Sequence, residues 1–401
     1  MKIYTGNAEE YVAVCTGLCG EVEPERLGPR APVSRISLYR AIRNLRDAHV
    51  LLKHKYEDGR TFLRLSSLGS PGYLDSISPA VTANARKVVR EDIKYSGSRD
   101  VRLRERATYE FYFSCFDKGI AINGITVEHR RRELNSKVPA PATSGASIFL
   151  DDGTPLPLEA IAKTIGKDYT GLFTKKIMKN LEEDGLSKAG TRNSRTAGTL
   201  FLSGQPYQVY PVYSATGSAW KPEAELNITN YISGTLERNS PYFSGKNAVI
   251  SNKCLLLLPN KEEASAFLTI NDKNVRIDPC AMYEQSYVRP AFSLEEAFLK
   301  LYGTPEWERK MTEVFFPCSP AHGIEDAYLE DGTEVYNFVG CNINRIRETF
   351  PRINGADIKT VILAETWMTE SLHEIFTKEN VEIIEITEND ISLIADAVSK
   401  A

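Results

Sequence analysis

Leu38, Ala41, Ile42 and Leu45 recur at i, i+3, i+4 and i+7, the spacing that gathers side chains on one stripe of a helix. Ser37, Arg40, Arg43 and Asn44 then face the opposite way, so one side of a helix over 34–47 packs and the other is basic. Ser34 stands where an N-cap hydroxyl can satisfy an orphan backbone donor. Upstream, Tyr11, Val12, Val14, Cys15 and Leu18 predict a helix over 8–20. Pro24 opens a short helical turn through Leu27, before Gly28, Pro29 and Pro32 break the chain. Downstream, Leu51–Tyr56 and Thr61–Leu65 read as two strands around Glu57, Asp58, Gly59 and Arg60, where Asp-Gly favours a tight hairpin.

Helix, short helix, basic helix and basic hairpin in that order predict a winged helix-turn-helix. In that motif the second helix of the pair enters the major groove while neighbouring elements grip phosphate. The residues expected on DNA are Arg35, Ser37, Arg40, Arg43 and Asn44 of the helix, with Lys53, Lys55, Arg60 and Arg64 of the hairpin. A winged helix used for protein contact is the alternative, and the concentration of cations on one side argues against it.

Further on, helices are predicted over 80–94 and 102–117, with Arg102, Arg104 and Arg106 on the second and the triplet Arg130–Arg132 beyond it. These cations could extend a DNA-contacting surface or form the solvated faces of ordinary helices. Residues 136–147 are rich in Pro, Ala and Ser and read as a linker. Within 157–186, Ala160, Ile161 and Ile165 make one helical stripe and Phe173, Ile177 and Leu181 another, followed by a strand over 196–202. That pattern suits a second winged helix offering Lys175, Lys176 and Lys179, although Glu182, Glu183 and Asp184 blunt the charge. From Tyr207 onward strands are predicted over 207–213, 247–259 and 267–270, with helices over 223–238, 261–267 and 293–302. The end of the chain alternates strand 358–364, helix 368–378, strand 381–386 and helix 389–399, a βαβ unit whose strands should be parallel.

The expected fold is therefore α+β and multidomain, an N-terminal winged helix-turn-helix followed by an α/β C-terminal half with a terminal βαβ unit. Its segments are 1–75 for the winged helix, 76–147 for a basic helical connector, 148–205 for a candidate second winged-helix-like segment and 206–401 for the α/β domain. The charge is distributed to match. Overall it is only −4, yet residues 26–64 carry ten Lys/Arg against three Asp/Glu, while 301–401 carry eight against nineteen. A basic block inside a patterned segment suits a polyanion, and an acidic end is repelled by one. Protein contact or self-association is the expectation for that end.

Seven scattered cysteines with no CxxC pair fit reduced thiols rather than a disulfide framework or a zinc site. No window approaches the ~20 apolar residues that span a bilayer, and the opening residues lack a basic stretch followed by an apolar one, so a cytoplasmic, non-membrane protein is expected. No GxxxxGK[ST] or GxGxxG run follows a strand, and the five histidines never cluster at ligand spacing. No cofactor is expected. One catalytic alternative survives, a Mg²⁺-dependent nuclease of the restriction-enzyme type with Glu223, Glu225 and Asp278 as its acids. Its lysine is missing, since none stands two residues after Glu284.

The run VSRISLYRAIRNLRDAHVL with its hairpin resembles the N-terminal domain of the replication-relaxation family of plasmids and integrative conjugative elements. The stretch TRNSRTAGTLFLSGQPYQVYPVYSATGSAWKPEAE is similar to a segment of related mobile-element proteins. The resemblance implies a DNA-binding accessory protein acting in element replication, conjugative transfer or their regulation, without catalysis of its own. Double-stranded DNA is the implied partner, with a relaxase or a replication protein as further candidates. A winged-helix transcription regulator with a C-terminal sensing or partner domain is the remaining alternative.

Overall fold

Asn7 accepts a hydrogen bond from the Glu10 amide and so starts helix α1, Ala8–Cys19, after strand β1, Lys2–Thr5. Every side chain from Tyr11 to Cys19 is buried. A helix covered all round is a central helix, and the neighbouring elements gather about α1 as their axis. Strand β2 (Glu21–Val22), helix α2 (Pro24–Leu27, with its proline in the first turn) and helix α3 (Arg35–Asp47) come next, then strands β3 (Leu51–Lys55) and β4 (Thr61–Leu65). Helices α4 (Ser70–Asp75), α5 (Pro79–Val88) and α6 (Arg99–Asp117) lead to β5 (Ala121–Ile122), β6 (Thr126–His129), α7 (Leu158–Ala162), β7 (Gly171–Thr174) and β8 (Gly198–Leu202).

This computed structural model describes the 401-residue chain apart from residues 30–32, 57, 68, 69, 89–98, 130–149, 151, 176–193, 214–221, 245–249, 269–281, 318, 320, 400 and 401. The protein is α+β, with helices and mixed sheets in two compact units. One comprises Met1–Gly204 with Asn227–Ile250, the other Gln205–Leu226 with Ser251–Ala401. The first unit gathers residues from all three segments expected over 1–205, because α1 packs against α3, α5 and α6 together and β5 pairs with β7.

In the first unit β2, β4 and β3 form an antiparallel sheet in that order, with Val22 and Lys53 both opposite Leu63. Strands β1 and β6 pair in parallel from Lys2↔Thr126 to Thr5↔His129. Strand β7 lies parallel to β5 and antiparallel to β8. Phe173, expected on a helical stripe with Ile177 and Leu181, is instead a strand residue. Gly171–Thr174 are all buried, and Phe173 packs on Phe201 with ring centroids 5.3 Å apart. A short run buried on both faces has no period to read. Ile177 and Leu181, like Arg130–Arg132 and the expected linker, lie outside the described residues.

The second unit contains β9 (Gln205–Pro211), the first turn of helix α8 (Pro222–Asn239), β10 (Lys253–Leu257), α9 (Lys261–Ser265) and β11 (Gln285–Arg289). Helices α10 (Glu296–Gly303) and α11 (Trp307–Phe315), strands β12 (Ala327–Tyr328) and β13 (Glu334–Asn337) and helix α12 (Ile343–Gly355) follow. Strand β14 (Thr360–Glu365), helix α13 (Thr369–Ile375), strand β15 (Val381–Ile386) and helix α14 (Glu388–Val398) end the chain. Strand β10 is flanked by β9 and β11, all parallel. A four-stranded sheet runs β12, β13, β14, β15, and β14 pairs with β15 in parallel, as the βαβ pattern predicts. Leu256, Val288, Tyr336, Ile346, Ile362 and Leu372 belong to its hydrophobic core. The strand expected over 267–270 is corrected: Phe267 and Leu268 form a buried turn after α9, and the other two positions are not described. No helix among the described residues is long and apolar enough to cross a membrane.

Candidate nucleic-acid interface

Helix α3 begins where its sequence says it should, with the Ser34 hydroxyl accepting from the Ser37 amide at 3.2 Å. Leu38, Ala41, Ile42 and Leu45 are buried, whereas Arg35, Ser37, Arg40, Arg43 and Asn44 are all exposed. Their surroundings differ. The Ser37 hydroxyl lies 2.9 Å from that of Ser34, so it belongs to the cap. The Arg35 guanidinium lies over the Tyr39 ring at 5.7 Å. Arg43 approaches Asp47 at 3.7 Å with both side chains largely in water, a pair that restrains it little. Asn44 donates to Glu9 Oε1 at 2.7 Å and ties α3 to α1.

The hairpin turns at Gly59, whose φ of +85° suits a residue without Cβ, and the Tyr56 amide donates to the Arg60 carbonyl at 2.9 Å. Lys53 and Lys55 are exposed on β3, an edge strand of its sheet. Arg60 and Arg64 are not; both are half-buried. Arg60 donates to Glu110 Oε1 at 2.8 Å and lies 3.8 Å from Glu23 Oε1. Arg106 donates to the same Glu110 oxygen at 2.9 Å and also pairs with Asp58 at the hairpin tip, its guanidinium 5.4 Å above the rings of Tyr56 and Phe62. Desolvation, and behind it the Arg106 hydrogen bond, act oppositely on Asp58, and the net effect holds its carboxyl below the usual range. Arg64 faces Glu21 across the β2–β4 ladder, and buried Glu21 accepts from the Tyr56 hydroxyl at 2.7 Å. Burial, then the nearby Arg64 and Arg102, push His54 below its ordinary value. The outward cations of this region are thus Arg40, Arg43, Lys53 and Lys55, with Arg35 and Arg46 exposed at the two ends of α3.

Two features have no counterpart among the sequence-based expectations. Ile36 and Tyr39 are 75% and 39% exposed on α3, legible from the helical wheel that exposes Arg40. The Arg106 clamp, in contrast, joins positions 48 apart, and no local pattern announces it.

The other candidates are dispersed. Lys175 donates to the Ser194 carbonyl, and Lys176 and Lys179 lie outside the described residues. Glu223 and Glu225 lie in the first turn of α8, where Glu223 is exposed and Glu225 is buried and accepts from the Tyr210 hydroxyl at 2.9 Å. Asp278 is not among the described residues. No group of three or more His, Cys, Asp or Glu side chains among the described residues is placed to hold a metal ion. Cys15, Cys19, Cys115, Cys254 and Cys341 are buried and in no disulfide. No family model matches the sequence, and no curated protein and no solved structure matches it.

Proposed function

We propose that α2, α3 and the β3–β4 hairpin form a winged helix-turn-helix that binds double-stranded DNA, with α3 as the recognition helix. The observation that carries this reading is the outward face of α3. Arg40 and Arg43 project opposite the buried Leu38/Ala41/Ile42/Leu45 stripe, and exposed Lys53 and Lys55 stand on the strand that α3 packs beside. A basic helix face flanked by a basic strand matches the charge of a groove bordered by phosphates. In this reading Arg40 and Arg43 reach base edges, and Lys53 and Lys55 hold the backbone. The resemblance of the N-terminal run to the replication-relaxation family supports a role in the replication, transfer or regulation of a mobile element.

The experiment is a duplex-binding titration of the full chain and of the Arg40→Ala/Arg43→Ala variant. Both side chains lie outside the core, so the variant should keep its melting temperature and lose at least tenfold in affinity, about 1–3 kcal/mol for each contact with a base edge. Undiminished affinity for every duplex tested would remove α3 from the interface.

A further inference from the structure

Ile36 is the most exposed large hydrophobic side chain among the described residues, at 75%, and it stands on the face of α3 that carries Arg40 and Arg43. Ile36, Arg40, Arg43 and Asp47 follow at i, i+4, i+7 and i+11, a stripe centred opposite the buried one. Ile36 therefore occupies the apex of the exposed face in the helix's first turn, the end that meets base edges when such a helix lies in the major groove.

We infer that Ile36 is a specificity-determining residue that reads the C5-methyl group of thymine in the major groove; the inference rests on the DNA-binding reading above. An isoleucine side chain offers neither donor nor acceptor. The thymine methyl is the apolar group that base pairs present in that groove, and its contact with apolar side chains is how it is recognised. The polar residues of the same turn are engaged elsewhere, Ser37 with the Ser34 hydroxyl and Arg35 over the Tyr39 ring. Arg40 and Arg43 extend along the same stripe, so an apolar protein groove closing over Ile36 would have to bury two guanidinium groups with it, at a large desolvation cost. A DNA groove receives isoleucine and arginines together, the first on a methyl and the others on guanine edges or phosphates.

The test begins with a duplex selected by the full chain from a randomised library. Each thymine of that site is then replaced in turn by uracil, which removes the methyl and leaves every hydrogen-bonding group in place. At one or two positions uracil should weaken binding about fourfold, the factor for losing one buried methyl-sized group. In Ile36→Ala the same replacement should cost nothing, because the side chain that met the methyl is gone. Ile36 is exposed, so Ile36→Ala should melt with the wild type. The inference is overturned if uracil is tolerated at every position by the wild-type chain, or if its penalty is undiminished in Ile36→Ala. Either result, with binding still lost on Arg40→Ala/Arg43→Ala, leaves the DNA-binding reading intact and removes Ile36 from it. A wild-type chain that selects no duplex overturns both.

Discussion

Arg60 Nη2 donates to Glu110 Oε1 at 2.8 Å, and this contact turns a hairpin cation back onto the protein. The same carboxylate oxygen holds Arg106, which reaches Asp58 at the tip, so α6 fastens the hairpin through a shared acid. A guanidinium neutralised in this way differs from the exposed ammonium groups of Lys53 and Lys55. Loss of either lysine should reduce the slope of log affinity against log salt by about one unit for all sequences alike. Arg60→Ala should leave that slope nearly unchanged and lower the unfolding free energy by about 1 kcal/mol, as expected for a partly exposed ion-pair network. Salt titrations of the three single variants, beside urea unfolding, distinguish the two roles.

A second paired cation lies deep in the C-terminal unit. Arg289, 5% exposed at the end of β11, pairs with Glu365, 3% exposed at the end of β14, and its guanidinium lies 3.3 Å from the Phe298 ring centroid. Glu365 also accepts from the Gly340 amide at 3.0 Å and from Trp367 Nε1 at 2.9 Å. Glu365→Ala would leave a buried charge, the buried Gly340 amide and the half-buried Trp367 Nε1 without their acceptor, and should cost about 3–5 kcal/mol in urea unfolding. Arg289→Met/Glu365→Leu removes both charges and should recover part of that loss.

Glu308 sets a pH dependence. Desolvation raises its carboxyl above the ordinary value of 4.5, opposed by hydrogen bonds from Asn342 and Tyr287, both 3.3 Å from Oε1, and by the charge of Lys253; Asp326 adds to the rise. A carboxyl raised in the native state keeps its proton to higher pH than in the unfolded chain. Between 4.5 and the raised value the native state binds more protons, so this group's contribution to stability falls as pH rises through that window and stays low above it. Glu308→Gln keeps an acceptor for Tyr287 and Asn342 but cannot ionise. Its stability relative to wild type should therefore rise from pH 4 to pH 8. Urea midpoints measured across that range check the sign, and a stability relative to wild type that falls as pH rises would contradict it.

How far the sequence was legible depends on how local the physics is. Helix α3 declares itself because Leu38, Ala41, Ile42 and Leu45 must share one stripe, and the hairpin because Asp58-Gly59 allows a tight turn. The terminal βαβ unit is legible for a similar reason: two apolar runs of strand length flank one amphipathic helix. Strand β7 was hidden, since Phe173 is buried by Phe201 and Tyr169 rather than by any period of its own. The parallel pairing of Ile3 with Val127 joins distant segments and leaves no trace in either. Within the site, the outward cations of α3 could be read from the wheel. The inward turn of Arg60 could not, because Glu110 belongs to another helix.

Asn123 shows how such long-range contacts carry stability. It is fully buried, with φ of +52°, a left-handed conformation that asparagine tolerates better than most residues. Its side-chain Nδ2 donates to Asn84 Oδ1 and, at 3.0 Å, to Thr174 Oγ1, while its Oδ1 accepts from the Thr174 amide at 2.8 Å. Asn84 in turn donates to the Gly17 carbonyl at 3.1 Å, so one polar chain links α1, α5, the turn after β5 and β7. Asn123→Asp preserves shape and backbone preference but replaces a two-hydrogen donor with an acceptor facing Asn84 Oδ1. With buried acceptors opposed in a low-dielectric interior, the cost should be about 2–4 kcal/mol at neutral pH, the sum of a lost charge-free donor and an unpaired buried oxygen. The aspartate should take up a proton to restore one donor, so the penalty should shrink as pH falls through its raised native value towards the ordinary aspartate value of about 3.9. Urea unfolding of the variant at pH 7.5 and pH 4.5 tests both statements: no penalty at pH 7.5 would mean that Nδ2 contributes nothing through its hydrogen bonds, and a penalty independent of pH would mean that folding takes up no proton at the aspartate.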